Sequence, residues 1–387
     1  MKNLLIGATA AIALLAAPAL AKDTLKVGMI VTLSGPPGAL GNQARDGFNL
    51  ALEKLGGKLG GMETEFILED DELKADVAQS KAKSLVEKDE VDFVVGTIFS
   101  NMLAAIYKPV IKSDTFLISP NAGPSTFAGK NCNPNFFVTS YQNNQNFEVL
   151  GKIATDKKYK KVFMLAPNYQ AGKDSMAGFK QNYKGDIADE VFTPLGHKDF
   201  SAEIARISES GADALFIFMP GGMGVRFVKQ FRASGLADKM AFLSAFTVDE
   251  TTLPGQKDDA VGMNGATNWA PDLQNAQTKD FVAAFEKEFG YIPGGYAMQA
   301  YDTAMLINSA VKAAGGVDDK DAVRAALKEA DFESLRGDFS FNNNHYPIQD
   351  FYLLEVVKRD DGKFHTSIVE KVYDDYSDSY AEQCKMK

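Results

Sequence analysis

Leu25-Lys-Val-Gly-Met-Ile-Val-Thr-Leu-Ser-Gly-Pro-Pro-Gly-Ala-Leu-Gly-Asn42 passes from a short apolar run into a turn built of glycine and proline, and a helix-length segment follows to Leu55. A run of this length, rich in Val and Ile and closed by turn residues, reads as a buried strand. The pattern then repeats: apolar runs at 63–69, 93–96 and 115–119 alternate with longer amphipathic segments at 76–87 and 101–113. Strands separated by helix-length crossovers make a parallel sheet with helices on its faces. After Asn143 the alternation restarts, with helices at 147–157, 171–183, 200–210 and 224–234 around strands at 162–166, 190–193, 214–219 and 240–244. Helices are expected at 278–289, 296–314 and 320–329, and a terminal hairpin at 351–357 and 365–372 turns on Asp360-Asp361-Gly362. The expected fold class is α/β, two doubly wound lobes. No flexible linker separates them, so short ordered crossings must join them. Open α/β sheets bind ligands at the C-terminal ends of their strands, and two facing lobes place one site in the cleft between them.

The first residues read as an export signal: Lys2 is the basic flank, Leu4 to Ala17 an apolar run short for a bilayer span, and Ala19-Leu20-Ala21 a small-x-small cleavage site. An uncleaved anchor helix is the alternative. No cysteine follows the cleavage site directly, so no lipid anchor is expected and the product is expected to be periplasmic and monomeric. The net charge of −10, with no basic cluster, excludes nucleic acid and anionic lipid as partners. Cys132 and Cys384 are the only cysteines. An even count in an oxidising compartment favours one disulfide between them, with two buried free thiols as the alternative. His197, His345 and His365 are dispersed, no Cys-x-x-Cys occurs, and no metal or cofactor is expected.

Enzyme motifs fail on spacing. No Gly-x-Ser-x-Gly elbow is present. The stretch Gly123-Pro-Ser-Thr-Phe-Ala-Gly129-Lys130-Asn131 has one residue too many for a phosphate loop and ends in Asn, which offers no hydroxyl to Mg²⁺. Gly35-Pro-Pro-Gly38-Ala-Leu-Gly41 departs from Gly-x-Gly-x-x-Gly, and its prolines remove two amide donors, which leaves a tight turn. Asp70-Asp71 and Asp374-Asp375 sit in polar surroundings and read as solvated turns. The chain is not expected to be an enzyme.

Leu33-Ser-Gly-Pro36 with Gly41, Val94-Val-Gly96-Thr-Ile-Phe-Ser100, Ile118-Ser-Pro120, Phe137-Val-Thr-Ser140 and the segment Ala297 to Leu306 form an ordered set with matching gaps. The set resembles the solute-binding proteins of branched-chain and hydrophobic amino acid ABC importers, which have the type I periplasmic binding fold. The resemblance covers nearly the whole mature chain. It implies a three-crossing hinge near Thr139 to Tyr141, Thr267 to Trp269 and Tyr346 to Gln349. The lobes would then be 22–139 with 269–345, and 140–268 with 346–387, after a signal at 1–21. It also implies an inner-membrane ABC importer permease as partner.

In amino-acid binders of that family the first lobe holds the ligand carboxylate, and the matching positions here are Ser100 and the loop Asn121-Ala122-Gly123. A serine hydroxyl and free amides at a helix start suit an anion. Ser100 also reads as a helix N-cap, and Asn121 as a turn former. Where those binders carry a hydroxyl residue, this chain has Gly123. Where they usually carry an acidic residue for the ligand ammonium, this chain has Phe246. An ammonium enclosed there would lack its counter-ion, at a cost of about 3–5 kcal/mol. Leu40, Phe99, Tyr169, Phe246 and Tyr296 fall where the family lines its pocket, and Gly221 lies in a loop bordering the cleft; each also reads as ordinary core or turn. The expected ligand is a small aromatic or hydrophobic carboxylate of benzoate or phenylpropanoid type. A branched-chain or aromatic amino acid is the rival ligand, and a sensory subunit of a signalling receptor the rival role.

Overall fold

A computed structural model describes residues 22–386, and the expected signal segment 1–21 lies outside them. The first sheet is built from β1 (Thr24–Val31), β2 (Lys58–Leu59), β3 (Met62–Asp70), β4 (Phe93–Gly96), β5 (Phe116–Ser119) and β6 (Phe136–Val138), in the order β2-β3-β1-β4-β5-β6. Apart from the β2–β3 hairpin its strands run parallel. Every position of β4 and β5 is buried, as expected of apolar strands covered on both faces.

The second sheet holds β7 (Lys161–Pro167), β8 (Asp186–Thr193), β9 (Ala214–Ile217), β10 (Ala241–Ser244), β11 (Asn264–Thr267), β12 (Ser340–Phe341) and β13 (Pro347–Lys358), with β14 (Phe364–Tyr376) paired to β13. Val162 and Met164 enter the core on one face, and Phe163 and Leu165 the core on the other, so alternation along β7 fills both. Strand β11 reads Asn-Gly-Ala-Thr and carries no apolar run. It is a strand because β10 and β13 bond it from both sides, a case of partners overriding local propensity.

The chain leaves the first sheet after β6 and enters helix Gln145–Asp156, whose Phe147 and Leu150 belong to the second core. It returns after β11: Trp269, Phe281, Ala297 and Leu327 belong to the first core. It passes back into the second sheet through β12 and β13. The three passages are tied at one point. The Ser140 carbonyl accepts from Asn268 Nδ2 at 3.1 Å, Gln349 Nε2 at 2.6 Å and Arg336 Nη1 at 3.4 Å. Gln349 Oε1 in turn accepts from Asn268 at 2.9 Å and Arg336 at 2.6 Å. Arg336 is held by the buried Asp302 carboxylate, Nη2 to Oδ2 at 3.0 Å, which also accepts from Ser334 Oγ at 2.6 Å.

Beyond β14 the tail crosses once more. Cys384 is bonded to Cys132 with Cα atoms 5.7 Å apart, inside the range a disulfide requires. Asp378 accepts from Asn344 Nδ2 at 3.0 Å, and Tyr380 packs on the first core. Residues 377–384, expected with the second lobe, therefore lie against the first.

Removing Arg336 leaves Asp302 buried without its counter-ion and takes two donors out of the knot. Arg336→Met is expected to lose about 3–5 kcal/mol of stability, read as a lower urea midpoint at unchanged slope. A midpoint equal to that of the wild type would contradict this role.

Candidate functional site

Strand ends of the two sheets face each other. After β1, β4 and β5 the chain delivers Leu40, then Phe99 and Ser100, then Asn121 and Ala122. After β7, β9 and β10 it delivers Tyr169, then Phe218 and Pro220, then Phe246. Tyr296 at the start of helix Gly295–Ala314, with Tyr141 and Asn143 from the first crossing and Phe147 from the helix after it, completes the wall of one cavity. The cleft is shut over it. A Cβ placed on Gly221 would stand 2.9 Å from Leu40 Cδ1, and one on Gly222 3.0 Å from Pro36 Cβ.

One end of the cavity carries open donors. Helix Ser100–Lys112 starts there, and its first amides have no intrahelical acceptor, so they and the helix dipole favour negative charge. Ser100 Oγ accepts from Asn143 Nδ2 at 3.1 Å, which leaves the serine proton free to donate. No acidic or basic side chain is among the lining residues, so an anion here is met by neutral donors alone.

The remainder is aromatic. Phe246 lies between Tyr141 and Tyr296, ring centroids at 5.3 and 6.2 Å, and Phe147 and Phe218 meet it edge-on at 6.4 and 6.1 Å. Tyr169 stacks on Phe218 at 6.1 Å and tilts against Phe99 at 6.2 Å. Burial, with Asp174 near one ring and Asp249 near the other, pushes the phenols of Tyr169 and Tyr296 up, so both stay protonated. Phe246 holds φ at +60°, a left-handed backbone unusual for an aromatic residue.

Leu40, Phe99, Ser100, Asn121, Ala122, Tyr169, Phe246 and Tyr296 thus come together around the cavity, whereas Gly123 and Gly221 do not line it. The Gly123 amide donates to Asn143 Oδ1 at 3.0 Å, and a Cβ there would fall 1.8 Å from the Tyr141 carbonyl oxygen, so the residue seats the first crossing. Gly221, at φ +61°, forms the lip of the cleft. The Ala122 amide is taken by the Thr97 carbonyl at 3.2 Å. Asn121 braces the site, donating to the Ile98 carbonyl at 2.7 Å and accepting from Tyr141 Oη at 2.6 Å. The Ser100 hydroxyl, by contrast, keeps its proton open. Trp269 packs beside the second crossing and donates to Thr278 Oγ1 at 2.9 Å. Sequence reasoning missed Tyr141, Asn143, Phe147 and Phe218. Phe218 stands before Pro220-Gly221-Gly222 at a strand end, a signal that could have found it. Among the described residues no group of three or more His, Cys, Asp or Glu is arranged to hold a metal.

A clasp joins the cleft walls. Asp174, on helix Gln170–Asn182 of the second lobe, accepts from Ser125 N at 3.1 Å and Ser125 Oγ at 2.7 Å on the first. It also accepts from Asn143 at 2.9 Å and Gln170 at 2.8 Å. Hydrogen bonds to a charged acceptor contribute about 1.5–3 kcal/mol each. Asp174→Ala is expected to open the ligand-free protein, seen as a larger radius of gyration in small-angle scattering; an unchanged radius would show that the clasp carries no weight.

Residues 24–363 match the family described as periplasmic binding protein. A Leu/Ile/Val-binding protein homolog 6 from Brucella melitensis is 30% identical over 385 residues, 96% of this chain and 97% of that relative. Among solved structures, an ABC-transporter solute-binding protein from R. palustris in complex with benzoate is 29% identical, with a TM-score of 0.88 over 94% of this chain and 100% of that one. Another, from Rhodopseudomonas palustris BisB5 in complex with 3,4-dihydroxybenzoic acid, is 31% identical with a TM-score of 0.87, covering 92% of this chain and 99% of that one. A leucine-binding protein from Thermotoga maritima, 19% identical with a TM-score of 0.79 over 89% of this chain and 97% of that one, shares the fold. No helix of the described residues is long and apolar enough to cross a membrane. A cleft shut between two doubly wound lobes, the neutral cavity within it and these matches agree: the chain belongs to the periplasmic binding protein family, whose members capture solutes rather than transform them.

Proposed function

We propose that this protein captures a small aromatic carboxylate, of benzoate or phenylpropanoid type, and presents it to the permease of an inner-membrane ABC importer. The lobes 22–139 with 269–345 and 140–268 with 346–387, the tail apart, would close about the knot at Ser140. The observation that carries the reading is a cavity walled by seven aromatic side chains, free of charged residues, with an open helix start at one end.

The energetics fit such a guest. Burying roughly 150 Å² of ring surface contributes at most about 4 kcal/mol at 25 cal/mol/Å², and ring contacts add about 0.5–1.5 kcal/mol each. Hydrogen bonds to the carboxylate offset its desolvation. After association costs, micromolar affinity, about 8 kcal/mol, is within reach. An amino acid would bring an ammonium into a cavity whose lining offers no carboxylate. Relatives named as binding benzoate and 3,4-dihydroxybenzoic acid support the aromatic reading, and those named for Leu/Ile/Val binding keep the amino-acid reading as the one to test against.

A thermal-shift panel on the mature protein decides between them, since a ligand at 100 times its Kd stabilises by about 2.7 kcal/mol. Benzoate-type acids are expected to raise Tm and leucine to leave it unchanged; the reverse pattern overturns the proposal. Phe246→Glu, which sets a carboxylate among the rings, is expected to weaken aromatic-acid binding by about a hundredfold or more in calorimetry.

A further inference from the structure

Helix Ala276–Phe289 belongs to the first lobe, where it buries Phe281 and Phe285. The turn between β13 and β14 belongs to the second, and residues 359–363 form its tip. The two meet at one carboxylate. Arg359 donates to Glu286 with both ends of its guanidinium, Nη1 to Oε1 at 2.6 Å and Nη2 to Oε2 at 3.3 Å. Lys363 Nζ stands 3.3 Å from the same Oε2 and 3.5 Å from the carbonyl of Gly290, just past the helix end. Asp361 accepts from Arg359 Nη2 at 2.8 Å and from the Lys363 amide at 3.1 Å, which fixes both cations in the turn. Although burial works against it, Arg359 and Lys363 hold the Glu286 carboxyl below its usual range, so it is charged at neutral pH.

This contact is set apart from the other charges. Among the described residues every other ion pair joins partners within one lobe. The clasp at Asp174 does cross the cleft, but its partners Ser125, Asn143 and Gln170 are neutral. The ionic contact is also open to solvent. The Arg359 and Lys363 side chains are 33% and 41% exposed, and a groove runs beside them between Pro254 and Phe364 of the second lobe and Tyr291 and Ile292 of the first. A bidentate arginine–carboxylate pair is the strong form of such a contact, yet within reach of solvent it is screened by salt, whose Debye length falls from about 30 Å at 0.01 M to about 3 Å at 1 M.

We propose that Glu286, Arg359 and Lys363 form an ionic latch that holds the cleft shut, and that through it solute capture by this protein weakens as ionic strength rises. The complex is the shut form, so whatever lowers the shut fraction of the ligand-free protein lowers the apparent affinity in proportion. The direction of the salt effect is diagnostic. Salt also screens the repulsion between an anionic solute and a chain of net charge −10, which by itself tightens binding. The latch has the opposite sign.

The mature wild type, Glu286→Gln, Arg359→Gln and the double variant, each at about 20 and about 500 mM sodium chloride, test this. In small-angle scattering without ligand the wild type is expected to expand at high salt, each single variant to be expanded already at low salt, and the double variant to match Glu286→Gln. With benzoate as the probe, the wild-type Kd is expected to rise about three- to tenfold with salt and the Glu286→Gln Kd to stay level. A wild-type radius that ignores salt, or a double variant more expanded than Glu286→Gln, overturns the latch. So does a wild-type Kd that falls with salt, or one that rises equally in Glu286→Gln, as competition by chloride at Ser100 would produce. The scattering does not rest on the aromatic-acid reading: if benzoate fails to bind, that reading falls and the radius still decides the latch.

Discussion

The Ser140 carbonyl is the point at which the three chain passages between the two halves of this molecule are tied. A single oxygen accepts hydrogen bonds from side chains on the second and third crossings and from Arg336, whose charge is balanced by Asp302 inside the first core. Three chain passages held at one spot leave the lobes little freedom except rotation about it. In the shut cleft Leu40 stands against Gly221 and Ser125 on Asp174. The tail adds a covalent tie, since the Cys132–Cys384 bond fastens the segment after β14 to the lobe opposite its strand. Placement of every residue in the cavity depends on this hinge, because the wall is drawn from both sheets and from the crossing itself.

Within that frame the chemistry divides by position. The start of helix Ser100–Lys112 supplies neutral donors, and the strand ends of the second sheet supply rings. Those donors are held in place: Asn143 fixes the Ser100 hydroxyl and is itself fixed by Gly123 and Asp174. Phe246 shows what the arrangement costs. A left-handed backbone at a non-glycine residue is disfavoured by about 1–3 kcal/mol, and it persists here because Tyr141, Phe147, Phe218 and Tyr296 surround the ring.

Much of this is legible in the sequence. Buried parallel strands leave apolar runs, and helices between them leave amphipathic ones, so most elements of both sheets could be read from alternation. Strand β11 could not, because its pairing comes from neighbours and not from its own Asn-Gly-Ala-Thr. Site residues at strand ends, such as Ser100 and Phe246, were readable because the fold puts ligands there. Tyr141, Asn143 and Phe147 lie on a crossing and on the helix after it, where no local pattern marks the cleft. The roles of Gly123 and of the tail rest on contacts with residues far along the chain, the Tyr141 carbonyl and Cys132, which no local window contains.

The aromatic-acid reading rests on a ring-walled cavity whose own lining holds no carboxylate, Asp249 and Glu250 lying on the far side of Phe246 and Tyr296. 3-Phenylpropionate and phenylalanine differ only in the ammonium, so titrating both into the mature protein isolates it. Saturable binding of 3-phenylpropionate is expected, with phenylalanine at least about a hundredfold weaker. Phenylalanine binding as tightly as the acid, or more tightly, would contradict it.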